Sequence, residues 1–181
     1  MMKRFILMGM TAAAMGSISS GAGAQTTVRA GRIDFNGVIT ATACQIQGNN
    51  QQMTVPLGTH FSQQFGNAGA RSRIVPFDIQ LVNCPTFRGV TVTYNGTGAT
   101  ANTDLLVVTD TTNNTQRQDV GIRLYDTDQT ALLNLNANST AFNITGANHT
   151  VRSAATFEQI GNNAPAAGNF QGNVNLDINY P

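Results

Sequence analysis

The chain contains no tryptophan and only two histidines, and charged residues make up 10% of its 181 positions. Its only lysine is Lys3, and it has no basic cluster of the kind that binds nucleic acid or anionic lipid. His60 and His149 have no partner at a metal-ligand spacing, so we interpret both as exposed loop residues. Catalytic motifs such as G-x-S-x-G or a phosphate-binding loop are also missing. We therefore expect no enzyme activity, no metal or other cofactor, and no nucleic-acid partner.

Long apolar runs are scarce too, and the longest lies at the amino terminus. Lys3 and Arg4 precede about ten apolar residues, and a small-residue stretch ending in Ala22-Gly-Ala24 follows. The run is shorter than the roughly 20 residues that a membrane helix needs. This layout is typical of a secretory signal peptide, residues 1–24, with cleavage expected after Ala24. The rest of the chain is then an exported domain of ordinary size.

Cysteine is limited to Cys44 and Cys84. In an exported protein such a pair most often forms one structural disulfide. A redox-active pair is the alternative, although such pairs usually occur as C-x-x-C. Closing a loop of about 40 residues is expected to stabilise the fold by roughly 3–4 kcal/mol in the chain-entropy model.

Short alternating apolar runs occur between turn residues throughout the exported part, and no segment has a convincing helical pattern. Predicted strands are residues 32–39, 53–58, 74–81, 90–94, 105–108 and 120–125, with weaker candidates at 132–135, 141–144 and 151–160. Many short strands at spacings near ten residues predict a single all-β sandwich or barrel.

The carboxy-terminal residues show the most regular pattern. Every second residue is apolar or glycine: Phe170, Gly172, Val174, Leu176, Ile178 and Tyr180. Because side chains alternate along a strand, this predicts one strand with an apolar and a polar face. A sandwich strand normally has a neighbour on each side, and no later segment supplies one. We therefore expect a partner strand from outside the chain.

The segment that follows the signal peptide, residues 25–39, has a second unusual pattern. One face combines Gly31, Ile33, Phe35, Gly37 and Ile39. Glycine weakens a strand, but it fits where a groove is shallow or two backbones approach closely. A bulge at the start of the first strand is the alternative explanation of Gly37.

Together these features resemble a chaperone–usher pilus subunit of the type 1 fimbrial family. The likeness rests on the signal peptide and on Phe35-Asn-Gly37, followed by Val-Ile and a cysteine. It also rests on a second cysteine about 40 residues later, and on Tyr180 at the penultimate position with Gly168 fourteenth from the end. Residues 120–126 are similar to the central strand of that family.

The resemblance implies an immunoglobulin-like sandwich, residues 40–181, that lacks its last strand. It implies that residues 25–39 form a donor-strand extension, whose inserted face is Gly31, Ile33, Phe35, Gly37 and Ile39. The acceptor groove, which also binds the chaperone, would be flanked by Gly168, Phe170, Val174, Leu176, Ile178 and Tyr180. Basic residues of the chaperone would hold the carboxylate of Pro181.

The implied function is that of a structural subunit of an adhesive surface pilus, polymerising by donor-strand exchange. The implied partners are copies of the same chain, a periplasmic chaperone, an outer-membrane usher, and tip adhesin or adaptor subunits. The chain would pass through the periplasm to a fimbria on the cell surface. Two alternatives stay open: an exported carbohydrate-binding sandwich, and a minor or adaptor pilin instead of the main shaft subunit.

Overall fold

A computed structural model describes residues 36–37, 43–49 and 52–181. The predicted signal peptide and most of the predicted donor extension, including Gly31, Ile33, Phe35 and Ile39, lie outside the described residues. Within the described part the only helical segments are two 3-10 turns, Gln47–Asn49 and Ser62–Gln64. The prediction of an all-β fold is confirmed.

The described residues form eleven strands. In chain order they are β1 (Gln45–Ile46), β2 (Val75–Val82), β3 (Phe87–Asn95), β4 (Gly98–Ala99), β5 (Asn102–Asp110), β6 (Thr115–Tyr125), β7 (Leu132–Leu133), β8 (Phe142–Ile144), β9 (Asn148–Gln159), β10 (Phe170–Gln171) and β11 (Asn175–Asn179). All the pairings between them are antiparallel.

The strands divide into two sheets that pack around one core. The larger sheet has the order β1-β2-β9-β6-β5-β10, with β4 beside β5 and β7 beside β6, and the smaller sheet has the order β11-β3-β8. The inward side chains of both sheets form a single apolar cluster that includes Ile79, Leu81, Val90, Val92, Leu106, Val108, Ile122, Leu124, Ile144 and Val151. This arrangement is a two-layer β-sandwich within the unit Thr40–Pro181.

Two of the strand predictions need correction. The strand predicted at residues 53–58 is wrong, because residues 52–60 have no regular structure. Pro56 lacks a backbone donor, and Gly58 has a φ of 86°, in the left-handed region. The weak candidate at residues 151–160 is in fact β9, the longest strand at 12 residues. Its run of small buried residues, Ser153 to Thr156, hides the alternation that usually marks a strand.

The terminal segment is also not one strand. Phe170–Gln171 (β10) pairs with β5 of the larger sheet, and Asn175–Asn179 (β11) pairs with β3 of the smaller sheet. Residues 172–174 connect the two sheets. The predicted alternation of burial is nevertheless confirmed, since every even-numbered residue from 170 to 180 is half-buried and every odd-numbered one is exposed.

The histidines are half-buried and not exposed as interpreted, and only His60 lies in a loop. The His60 ring is half-buried, with Nε2 2.9 Å from the Leu57 carbonyl oxygen and its edge against the Phe157 ring at 6.0 Å. His149 lies in β9, half-buried and stacked on Phe142 at a centroid distance of 5.1 Å. Both rings therefore contribute to packing at the border of the core.

Candidate functional site

The terminal strand β11 lies at the edge of the smaller sheet. On one side it pairs with β3, with Leu176 opposite Tyr94 and Ile178 opposite Val92. On its other side, no strand of the described residues pairs with it. A sheet edge of this kind presents unpaired backbone donors and acceptors that another strand can bind.

The hydrogen bonds of β3 show which residues of β11 face this open edge. The carbonyl oxygens of Val92 and Tyr94 accept hydrogen bonds from backbone N–H groups of residues 136–139, on the side of β3 away from β11. Backbone groups of successive residues point to opposite sides of a strand, so the intervening residues of β3 face β11. In the observed register, Leu176 and Ile178 therefore direct their N–H and C=O groups outward, to the open edge.

The side chains beside this edge form what we call the terminal apolar face: Phe170, Val174, Leu176, Ile178 and Tyr180. All five pack against the core cluster, yet each stays only half-buried. The polar side chains between them point to the other face and are exposed. Leu176 and Ile178 thus combine half-buried apolar side chains with backbone groups that no described strand pairs with.

At each end of the terminal apolar face, a further aromatic ring packs against it. The Phe170 ring meets Phe157 edge-on at 6.2 Å and lies 5.5 Å from the Arg117 guanidinium carbon. The Tyr180 ring lies 4.6 Å from that of Phe87. The partly exposed apolar surface therefore runs along the terminal segment from β10 to the end of β11.

The disulfide lies at one end of this surface. Cys44 and Cys84 are bonded, as predicted, and tie the segment before β1 to the residues after β2. The backbone N–H of Cys44 donates a hydrogen bond to the Tyr180 hydroxyl at 3.1 Å. The bridge therefore helps to position the segment that contacts the carboxyl end of β11.

Polar contacts on the outer face hold β11 to β3. Asn95 Nδ2 donates to Asp177 Oδ2 at 2.6 Å, and Asn179 Nδ2 donates to Thr93 Oγ1 at 2.9 Å. These cross-strand pairs maintain the register that directs Leu176 and Ile178 to the open edge.

Two predicted site residues are glycines, and the structure gives them different surroundings. A Cβ on Gly168 would lie 2.9 Å from both Asp110 Oδ2 and Phe170 Cε1, so a side chain there would require these two side chains to shift. Gly37 is exposed, and a Cβ there would meet nothing within 4 Å. The donor role of Gly37 and the groove role of Gly168 stay predictions.

The larger sheet also contains a buried charged cluster that the sequence pattern did not indicate. Glu158, the only glutamate of the chain, accepts hydrogen bonds from Arg123 Nε at 3.0 Å and Nη2 at 3.1 Å, and from Arg71 Nε at 2.7 Å. Burial would raise the pKa of Glu158, but the bonds and charges of Arg123 and Arg71 outweigh burial and lower it. No motif marks this cluster, since its members are far apart in sequence.

The described residues contain no group of three or more metal-ligating side chains. The carboxylate of Glu158 is fully engaged by two guanidinium groups, so this buried cluster is structural. The same described part of the chain also contains no helix with the length and apolar character that crossing a bilayer requires.

These features define a class of protein: a disulfide-bonded, immunoglobulin-like β-sandwich whose strand β11 has, among the described residues, a neighbour on one side only. Residues 33–181 match the fimbrial protein family, and the chain belongs to that family. It is a structural subunit of a pilus. The assignment to the type 1 fimbrial kind, made from the terminal pattern and the cysteine spacing, is confirmed.

Individual relatives and a solved structure are consistent with membership of the fimbrial protein family. The chain is 28% identical over 181 residues to the uncharacterized fimbrial-like protein SfmA of Escherichia coli K12, covering 98% of this chain and 96% of the relative. It is 32% identical over 107 residues to the type-1 fimbrial protein C chain of Escherichia coli, covering 58% and 59% of the two chains. Its fold is similar to the crystal structure of the P pilus rod subunit PapA, with a TM-score of 0.62 and 16% identity over 77% of this chain and all of that one.

Proposed function

We propose that this chain is a fibre-forming pilus subunit that accepts a strand along β11 and donates residues 25–39 to the next copy. Strand addition at an exposed sheet edge is an established mode of recognition in chaperone–pilin complexes. The observation that carries the proposal is the coincidence at Leu176 and Ile178 of outward backbone groups with half-buried apolar side chains. An inserted strand would complete both the hydrogen-bond ladder and the core.

The energies involved are large enough for a stable contact. Burying an Ile or Phe side chain contributes roughly 1.5–3 kcal/mol, and each new backbone hydrogen bond about 0.5–1.5 kcal/mol. Association and ordering of the donor cost several kcal/mol or more. Because the inserted strand completes the core of its host, its release requires much of the host sandwich to open, which makes the fibre kinetically persistent.

Before assembly, another strand must cover β11 and the terminal apolar face until the next subunit is added. We propose that a periplasmic chaperone adds its own strand to β11 and that an outer-membrane usher mediates the replacement by the next subunit. The end of β11 suits such a contact, because Pro181 is exposed directly after the half-buried Tyr180. Residues 1–24 direct the chain to that compartment.

The role of the main shaft subunit fits best, because one chain contains both an open acceptor edge and a candidate donor segment. Such a chain can polymerise with its own copies. Tip adhesin and adaptor subunits would then join the same fibre through the same kind of contact.

The acceptor side is tested by a pair of variants on the two faces of β11. Ile178→Asp places a charge on the terminal apolar face, whereas Asn175→Asp places the same charge on the exposed face of the same strand. We expect Ile178→Asp to abolish fibres seen by electron microscopy and chaperone binding in pull-down, and Asn175→Asp to retain both. Normal fibres from Ile178→Asp would refute the acceptor site.

The donor side is tested by Gly37→Trp. If Gly37 inserts where the groove is shallow, a large side chain there blocks insertion into the next subunit but leaves the acceptor edge of the same molecule intact. We expect normal chaperone binding and no incorporation behind another subunit. A fibre yield equal to that of the unaltered chain would contradict the proposed donor face.

A further inference from the structure

Asn-Gly dipeptides occur twice in the sequence, at residues 36–37 and 95–96. This dipeptide is chemically labile, because glycine has no side chain to hinder attack of its own backbone nitrogen on the preceding asparagine side chain. The attack requires that nitrogen to be free and the asparagine amide to rotate toward it. The two sites differ in whether their surroundings meet these requirements.

The site at residues 95–96 is blocked by hydrogen bonds and packing. Asn95 ends β3, and its Nδ2 donates to Asp177 Oδ2 at 2.6 Å. The N–H of Gly96, whose nitrogen would make the attack, donates to Asn136 Oδ1 at 3.0 Å, and Asn136 Nδ2 donates to the Gly96 carbonyl at 3.3 Å. Gly96 is also packed, since a Cβ there would come 2.8 Å from Leu106 Cδ1.

The site at residues 36–37 differs in its exposure to solvent. Asn36 and Gly37 are both exposed, and a Cβ on Gly37 would have no heavy atom within 4 Å. Neither residue belongs to a strand. The same dipeptide thus occurs once held rigidly and once accessible.

We propose that Asn36 is a site of spontaneous deamidation in the unassembled subunit, whereas Asn95 is protected by the fold. The deprotonated nitrogen of Gly37 attacks Asn36 Cγ, a C–N bond forms, and the Cγ–Nδ2 bond breaks. Nδ2 takes up a proton and leaves as ammonia, and the product is a succinimide. Water then opens the ring at either carbonyl, which yields aspartate or isoaspartate.

The consequence for assembly rests on the proposed donor role of residues 25–39. Isoaspartate adds one carbon to the main chain, so the alternation that places Phe35 and Gly37 on one face is shifted. Either product also adds a negative charge to the inserted strand. A deamidated subunit would keep its acceptor edge but lose its ability to donate, while a donor strand already bound in a fibre is held extended and protected.

Mass spectrometry tests the chemistry independently of assembly. Trypsin cuts only after Arg here, so Asn36 and Asn95 fall in different peptides, residues 33–71 and 89–117. We expect incubation of the exported chain at mildly alkaline pH to add about 1 Da at Asn36 and not at Asn95. Asn36→Gln should remove this gain, and unfolding in urea should let Asn95 react as fast as Asn36. Equal rates at the two sites in the folded chain would overturn the proposal.

A second measurement separates this inference from the proposed function. Aged subunits are mixed with chaperone and usher, and the Asn36 peptide is compared between fibres and unassembled chains. Depletion of the modified peptide from fibres supports both ideas. Selective deamidation with equal content in fibres and free chains would support the chemistry but refute residues 25–39 as the donor strand.

Discussion

At the scale of single residues, the ion pairs of Glu158 show how much one buried side chain can contribute to the stability of the fold. Arg123 is 6% exposed and Glu158 4% exposed, so this pair has little access to water. Removing one member of a buried ion pair leaves an uncompensated charge, which costs far more than loss of a surface pair. Arg71 lies at the border of the cluster and is better solvated.

Glu158→Gln is therefore predicted to destabilise the sandwich by about 3–5 kcal/mol, measured as urea unfolding by circular dichroism. Asp78→Asn is the matched control, because Asp78 is exposed opposite Arg152 and the change should stay within about 0.5 kcal/mol. A Glu158→Gln chain as stable as this control would show that the pair contributes little.

The same residue predicts a pH dependence. The pKa of Glu158 is lower in the folded state than its ordinary value of 4.5. A carboxyl group of this kind contributes its full stability above the ordinary pKa and loses it as the pH falls through the folded value. At pH values below about 4.5, we expect the urea concentration at the midpoint of unfolding to decrease. The decrease should be smaller in Glu158→Gln than in the unaltered chain. An identical pH profile in both chains would contradict this assignment.

At the scale of secondary structure, the change of sheet after β10 depends on Gly172. Phe170–Gln171 belongs to the larger sheet and Asn175–Asn179 to the smaller one, so the chain crosses the core border between them. A Cβ on Gly172 would lie 2.8 Å from Ile122 Cδ1 and 3.1 Å from Leu106 Cδ2, both in the core cluster. Any side chain at the crossing would therefore require these core side chains to shift.

Gly172→Val is predicted to destabilise the fold by about 1–3 kcal/mol through overpacking and to displace β11. Gly66→Ala is the control, since a Cβ there meets nothing within 4 Å and the backbone is not in the left-handed region. The stability of both variants is measured by thermal unfolding. Equal melting temperatures for the two variants would show that the core accommodates a side chain at Gly172 without loss of stability.

At the scale of the whole molecule, the sandwich has a formed core with one border left half-covered. The central strands β9 and β6 are buried, while the terminal apolar face retains exposed area along its full length. Apolar surface of this extent, beside the edge of β11 that no described strand covers, favours association with another strand. The isolated exported chain should accordingly aggregate or polymerise slowly.

Supplying a donor within the same chain should remove this tendency. A second copy of residues 25–39, joined after Pro181 by a short flexible linker, is predicted to give a monomer with a markedly higher melting temperature. The control carries Ile33→Asp and Phe35→Asp in the added copy and should behave like the unmodified chain. Sedimentation and calorimetry measure both. A stable monomer without any added strand would refute the incomplete core.

Much of the fold was predictable where the pattern is local. Val90 to Tyr94 and Val120 to Tyr125 alternate clearly, and both lie in strands as expected. The strand β9 was underestimated because Ala154 and Ala155 give no contrast between the faces. The packing of His149 on Phe142 was not predictable, because the contact joins neighbouring segments only after the strands are placed.

The amino-acid sequence was sufficient for the two faces of residues 170–180 and for the pairing of Cys44 with Cys84, because a period of two and a single cysteine pair leave few alternatives. It could not show that the terminal segment changes sheets at Gly172, since that depends on the position of Ile122 and Leu106. Nor could it show which backbone groups of β11 point away from β3, because this follows from the register between the two strands. Periodicity is a property of neighbouring residues, whereas register and close approach arise only when distant segments pack together.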